Sequence, residues 1–279
     1  MRVNRLTMLM VLFCLTGTAF AQQDCEQARV LDDQARNLAE KTARLAAYQQ
    51  ITSLCPNFNY LYKLGRAWQD SGDHAQAKRA YAGAREVVGD KRAQGMVMGR
   101  LAQTHLALNE LADALAMVDE AVTLTAPEVP DWLANARRQI DLTVADAPLS
   151  ADFISRAFSA KRSYGVRPRL NLNIQFTALR DSLTDEGRRQ VAELGKSLAS
   201  QPGNAKVRLT GHTDGGGDSF VAYRLSFTRA ERVAETLLSD FPSLAGRVNH
   251  EGRGGREPRY AGESDDDNKL NRRVEVVLE

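Results

Sequence analysis

An α+β chain of two domains is predicted: an all-α solenoid, followed by an α/β sandwich with helices on one face of a mixed sheet. Three observations point there. Residues 25–127 are rich in Ala, Leu, Gln and Arg, carry almost no strand signal, and resemble themselves at a period of about 34 residues. Residues 168–279 instead interleave short alternating runs with amphipathic helical stretches, the pattern of helices packed on a sheet. Between them, residues 147–167 mix Pro148, Ser150, Ser159, Ser163 and Gly165 with Phe153, Ile154 and Phe158, which predicts a linker holding one short helix.

The N-terminal end sets the compartment. Arg2 and Arg5 precede an apolar run from Leu6 to Leu15, and Ala19-Phe20-Ala21 has the small-x-small form of a cleavage site, so residues 1–21 are expected to be a signal peptide. Phe13 precedes Cys14 and Asp24 precedes Cys25, where lipid attachment needs a small residue. No later apolar run is long enough for a transmembrane segment. Removing residues 1–21 takes two of the 37 basic residues and none of the 35 acidic ones, and a balanced chain excludes nucleic acid as the expected partner. Hydrophobic residues make up 43% of the chain, enough for two ordinary cores. The exported chain then holds Cys25, opening one predicted helix, and Cys55, closing its antiparallel neighbour. In an oxidising compartment such a pair is expected to be disulfide-bonded. The alternative is two small buried residues.

The helical domain is expected over 22–146. Leu64, Gly65, Trp68, Gly72, Ala77, Tyr81 and Ala84 follow one another as small and large residues do where paired helices pack, and Leu101, Ala102, His105, Ala114, Val118 and Ala121 repeat the pattern one period on, closed by Pro127. The unit resembles a tetratricopeptide repeat. In the preceding unit Tyr48, Ile51 and Pro56 fit, but Asp32 stands where a small residue is expected. A last amphipathic helix over 130–144, with Trp132, Leu133, Ile140 and Leu142, would cap a short solenoid whose groove suits another protein. A helical spacer with no specific partner is the competing interpretation, because alanines and aromatics at helical spacing are first of all core. His74 and His105 lie on helices without partners at metal-ligand spacing.

In the C-terminal domain, 168–279, Arg169 to Phe176 alternate as a half-buried strand. Thr184-Asp185-Glu186 starts a helix with acidic residues against the positive end of its dipole, and Val191, Leu194 and Leu198 share one face. Lys206 to Thr210 form a second strand. A helix is expected from Ser219 to Ser239, a third strand near Arg247–Glu251, a short acidic helix start at Ser264–Asp267, and a last strand at Arg273–Leu278.

Asp214 leaves the second strand just before Gly215-Gly216-Gly217, and Arg229 lies within the following helix, so both can reach one crevice. A carboxylate takes an ammonium and a guanidinium takes a carboxylate bidentately, which together grip a zwitterion. The alternative is a plain salt bridge between the two. An enzyme would need more: His212 and Asp214 share a strand face without a third metal ligand, and Ser219 is explained as a helix cap, so no catalytic residue, metal or cofactor is expected.

The segments Leu209-Thr210-Gly211-His212-Thr213-Asp214, Leu225-Ser226-Phe227-Thr228-Arg229-Ala230 and Asn271-Arg272-Arg273-Val274-Glu275-Val276 resemble, in order and spacing, the OmpA-like peptidoglycan-binding domain. The resemblance implies a non-enzymatic periplasmic protein of a Gram-negative envelope. Its ligand would be the diaminopimelate of the peptidoglycan stem peptide, and a second envelope protein would meet the helical groove. It implies that Asp214 and Arg229 hold the amine and carboxylate at one end of that ligand, with Arg272, Thr213 and Gly216 beside them. Two positions depart from the family: Ala222 replaces its usual asparagine and Val221 the tyrosine before it. A missing amide removes a donor and acceptor at about 1 kcal/mol per hydrogen bond. The competing implication is a scaffold that keeps the fold and has lost the ligand.

Overall fold

A computed structural model describes residues 22–177, 181–203, 205–215 and 217–279. The expected signal peptide and Gly216 lie outside them. The chain divides into two compact units, Met1–Asn109 with Ala121–Glu128, and Glu110–Glu120 with Val129–Glu279.

The first unit is a series of helical hairpins: α1 (22–35), α2 (Lys41–Leu54), α3 (Phe58–Ser71), α4 (His74–Val87), α5 (Lys91–Ala107) and the end of α6 (Leu111–Thr125). Short polar side chains start them. Asn57 accepts from the Tyr60 amide, Asp73 from Gln76 and Asp90 from Ala93, each satisfying first-turn donors that the helix cannot. Gly72 closes α3 at φ 88°, a left-handed conformation that costs glycine nothing. Gly65 is a close-approach point: a Cβ there would lie 2.5 Å from the ring of fully buried Tyr81. Cys25 and Cys55 are joined, with Cα atoms 4.9 Å apart, across 30 residues. A loop of that length contributes about 3–4 kcal/mol in the chain-entropy description. Asp32, out of place in the sequence pattern, is 3% exposed and takes Lys63 at 2.6 Å and Arg36 at 2.7 Å. Burial pushes its carboxyl up, and the two cations more than reverse this and hold it below the usual range.

The second unit carries the sheet: α7 (Asp131–Asp146), α8 (Ala151–Ser163), β1 (Arg169–Leu172), α9 (Asp185–Ala199), β2 (Val207–Gly211), α10 (Phe220–Asp240), β3 (Val248–Gly252), α11 (Asp265–Asn271) and β4 (Val274–Leu278). Strand order is β1-β4-β2-β3, with β2 parallel to β3 and the other pairs antiparallel, so the sheet is mixed. The first strand ends at Leu172, short of the expected Phe176. Its continuation is diverted because the Asn173 amide donates to the Lys269 and Arg272 carbonyls, and Phe176 makes only an isolated bridge to Leu183.

Residues 147–167 hold more than a linker. In α8, Phe153, Ile154, Ala157 and Phe158 form one apolar face, and all four are buried. The Ala151 amide donates to Glu193, and Ser155 meets Ser197 at 2.8 Å. The unit also buries an ion cluster. Lys161, 1% exposed, pairs with Asp119, and Arg259 forks onto Asp141 at 2.6 and 2.8 Å while reaching Asp119 at 3.4 Å. Tyr260 donates its hydroxyl to Asp141 at 2.6 Å. Burial alone would raise the Asp119 carboxyl, but the charges of Lys161, Arg259 and Arg137 hold it well below the usual range.

Candidate functional site

Strand register brings two of the predicted residues together. Gly211 at the end of β2 faces Val274 at the start of β4, so the chain leaving β2 runs beside the chain entering β4. The His212 amide donates to the Arg273 carbonyl at 3.0 Å, and two residues further Asp214 meets Arg272, Nη1 to Oδ2 at 2.7 Å. Asn173 fixes Arg272 from the other side by bonding its carbonyl.

Arg229 arrives on α10, which lies close against the sheet at glycines. A Cβ on Gly211 would sit 2.0 Å from the Ser226 carbonyl oxygen, and one on Gly252 2.5 Å from the Phe227 nitrogen. Ser226 is fully buried and accepts from the Gly254 amide at 2.8 Å. Ser219 caps the helix by accepting from Ala222. One turn beyond Ser226, Arg229 faces an open crevice of about 730 Å³, lined also by Phe176, Glu186, Gln190, His212 and Arg272. Asp146 and Lys269, themselves ion-paired, form part of its wall.

The electrostatics are uneven. The Arg229 guanidinium stacks over Phe176 at 5.1 Å, has no ion pair among the described residues, and leaves its Nε buried without a hydrogen-bond partner. Burial weakens its hold on its proton, Asp214 opposes that and Arg272 adds to it. Arg273, buried with its guanidinium on Asn171 and on backbone carbonyls, is pushed down to about 10 by burial and by Arg259. His212 is 2% exposed with both ring nitrogens unpartnered; burial, then Arg273, Arg253 and Arg169, lower it to about 3, so the ring is neutral.

Of the ligand-binding residues expected from sequence, Arg229 and Arg272 line the crevice, as does His212. Asp214 is bound to Arg272 and not to Arg229, and does not line the crevice itself. Thr213 is buried and gives its hydroxyl to the Gly215 carbonyl, shaping the loop. Ala222 is buried and also stands apart from the lining. Nothing in the sequence marked Phe176, Asn173 or Asp146 as part of the site, because each meets it from a segment far from Arg229 and Arg272 in the chain.

Residues 175–272 match the OmpA family. Outer membrane protein Omp38 of Acinetobacter baumannii is 28% identical over 109 residues, which is 39% of this chain and 30% of that protein. Among solved structures, the cell wall anchor of the T6SS from Pseudomonas aeruginosa is 27% identical with a TM-score of 0.34, covering 40% of this chain and 77% of that one. The peptidoglycan-associated lipoprotein from Burkholderia pseudomallei is 24% identical with a TM-score of 0.34, covering 38% of this chain and 88% of that one. The chain thus carries an OmpA family domain at residues 175–272.

Proposed function

We propose that the chain is a non-enzymatic periplasmic anchor of a Gram-negative envelope. Its OmpA family domain holds peptidoglycan without a covalent bond, through the free amino-acid end of diaminopimelate. The single observation that carries this is Arg229: a guanidinium facing an open crevice with no carboxylate of its own is a vacant carboxylate site, and Asp214 stands one ion pair away for the amine. Peptidoglycan as the ligand is supported by the OmpA family match and by the Asp214, Arg229 and Arg272 positions of the motif. The helical hairpins, which resemble tetratricopeptide repeats, would then present a surface to a second envelope protein.

Sedimentation of the full chain with purified sacculi tests the anchor, alongside calorimetric titration with diaminopimelate. Arg229→Ala and Asp214→Ala should stay folded by circular dichroism and lose binding. Stranding one end of a charged ligand costs about 2–5 kcal/mol, which is roughly 30-fold to several thousand-fold in affinity. Arg229→Lys should weaken binding too, because an ammonium does not reproduce the guanidinium fork. Failure of the wild-type chain to sediment would leave an envelope scaffold that keeps the fold alone.

A further inference from the structure

The crevice holds its two charged recognition groups in different states. Arg229 is vacant, whereas Asp214 is already occupied by Arg272 at 2.7 Å. Arg272 lines the crevice and Asp214 does not, and the carboxylate that an amine would need is engaged by the Arg272 guanidinium. The Arg272 side chain is 49% exposed and that of Asp214 35%, which makes this pair a surface one that a competing cation can open at small cost. The backbone beneath is fixed, since Asn173 bonds the Arg272 carbonyl at 3.1 Å and the Arg272 amide bonds the Asn268 carbonyl at 3.0 Å. Only the side chain needs to move.

We infer that Arg272 sets the specificity of the crevice as an internal competitor for the ligand's ammonium, so that ligands dock carboxylate-first on Arg229 and an amine reaches Asp214 only by displacing Arg272. The inference rests on the proposed zwitterion site. Its consequence is that the free protein reads a carboxylate strongly and an amine weakly. The other charged walls do not change this, because Asp146 is paired with Lys269 and Glu186 with Arg189.

Pimelate and diaminopimelate share a carbon skeleton and both carboxylates, and differ in the amines. The full wild-type chain should bind both in calorimetric titration. In Arg272→Met the preference for diaminopimelate over pimelate should rise about two- to fivefold, the range of a surface ion pair. Arg272→Gln should behave alike, and Asp214→Asn should erase the preference. Guanidinium resonances of Arg272 should move on adding diaminopimelate and stay in place with pimelate. An unchanged or reduced preference in both Arg272 variants, with wild-type binding intact, overturns the exchange and leaves the anchor standing. Absence of any binding by the wild-type chain removes both.

Discussion

A buried histidine with neither nitrogen bonded is a liability that the residue scale makes measurable. The folded protein holds His212 near 3, against a model-compound value of 6.5. Because the folded value is the lower one, the unfolded chain binds a proton first as pH falls. Stability is therefore full above 6.5 and is lost as pH drops toward 3. From pH 6.5 down to about 5 the expected loss steepens from about 0.7 to about 1.3 kcal/mol per pH unit, a window above the titration of the carboxylates. Urea unfolding of His212→Phe across that window should show a flatter pH dependence, since an apolar ring has no proton to gain and leaves no unsatisfied nitrogen. An unchanged slope would mean that the ring is hydrated in the folded state. Arg229 has the same kind of unsatisfied buried nitrogen, at Nε. Both residues line the same crevice, and what separates them is charge: the Arg229 guanidinium is a cation with no ion pair among the described residues, whereas the His212 ring is neutral.

At the scale of elements, glycines decide how near two elements come. Gly211 and Gly252 let α10 rest on β2 and β3, and that contact sets where Arg229 emerges. Gly65 has the corresponding task between α3 and α4, with the Tyr81 ring 2.5 Å from any added Cβ. Tyr81 cannot retreat easily, being fully buried with its hydroxyl on Gln69. Gly65→Ala would gain helix propensity of up to about 1 kcal/mol. Overpacking typically costs about 1–3 kcal/mol, so a net loss is expected. Thermal unfolding of the full chain checks the sign, and a stabilised variant would show that the tyrosine ring has room to move. Gly65 stood out in the sequence as a member of a spacing pattern, and Gly211 as part of a motif. Their contact partners did not, because Gly65 meets a ring on the next helix and Gly211 a carbonyl on α10.

For the whole molecule, the division into compact units departs from the sequence pattern. The family match spans residues 175–272, yet the second compact unit reaches back to Val129 and includes Glu110–Glu120. Buried charge joins these segments alongside the apolar face of α8: Arg259 and Lys161 are buried, and their carboxylates come from Asp119 and Asp141. A fragment of residues 168–279 would keep Arg259 and lose both acids, whereas residues 110–279 keep the cluster. Removing the partner of a buried ion typically costs about 3–5 kcal/mol, so the shorter fragment should unfold at markedly lower urea. Arg259→Met should recover part of the difference in the short fragment and destabilise the long one. Equal stability of the two unsubstituted fragments would show that α7, α8 and their acids are dispensable to the sheet.

The sequence by itself determined the element order, the helical character before residue 147 and the mixed sheet after it, and it singled out Asp214 and Arg229 as candidates. Periodicity and motif spacing are local, and local information is enough to place them. Only tertiary structure decided that Asp214 is held by Arg272, that Asn173 leaves the strand to clamp α11, and that α8 is core rather than linker. Each of those outcomes depends on which surfaces meet. Asn173 and Arg272, or Lys161 and Asp119, are brought together by strand register and helix packing, and no spacing along the chain encodes that a buried charge has found its partner.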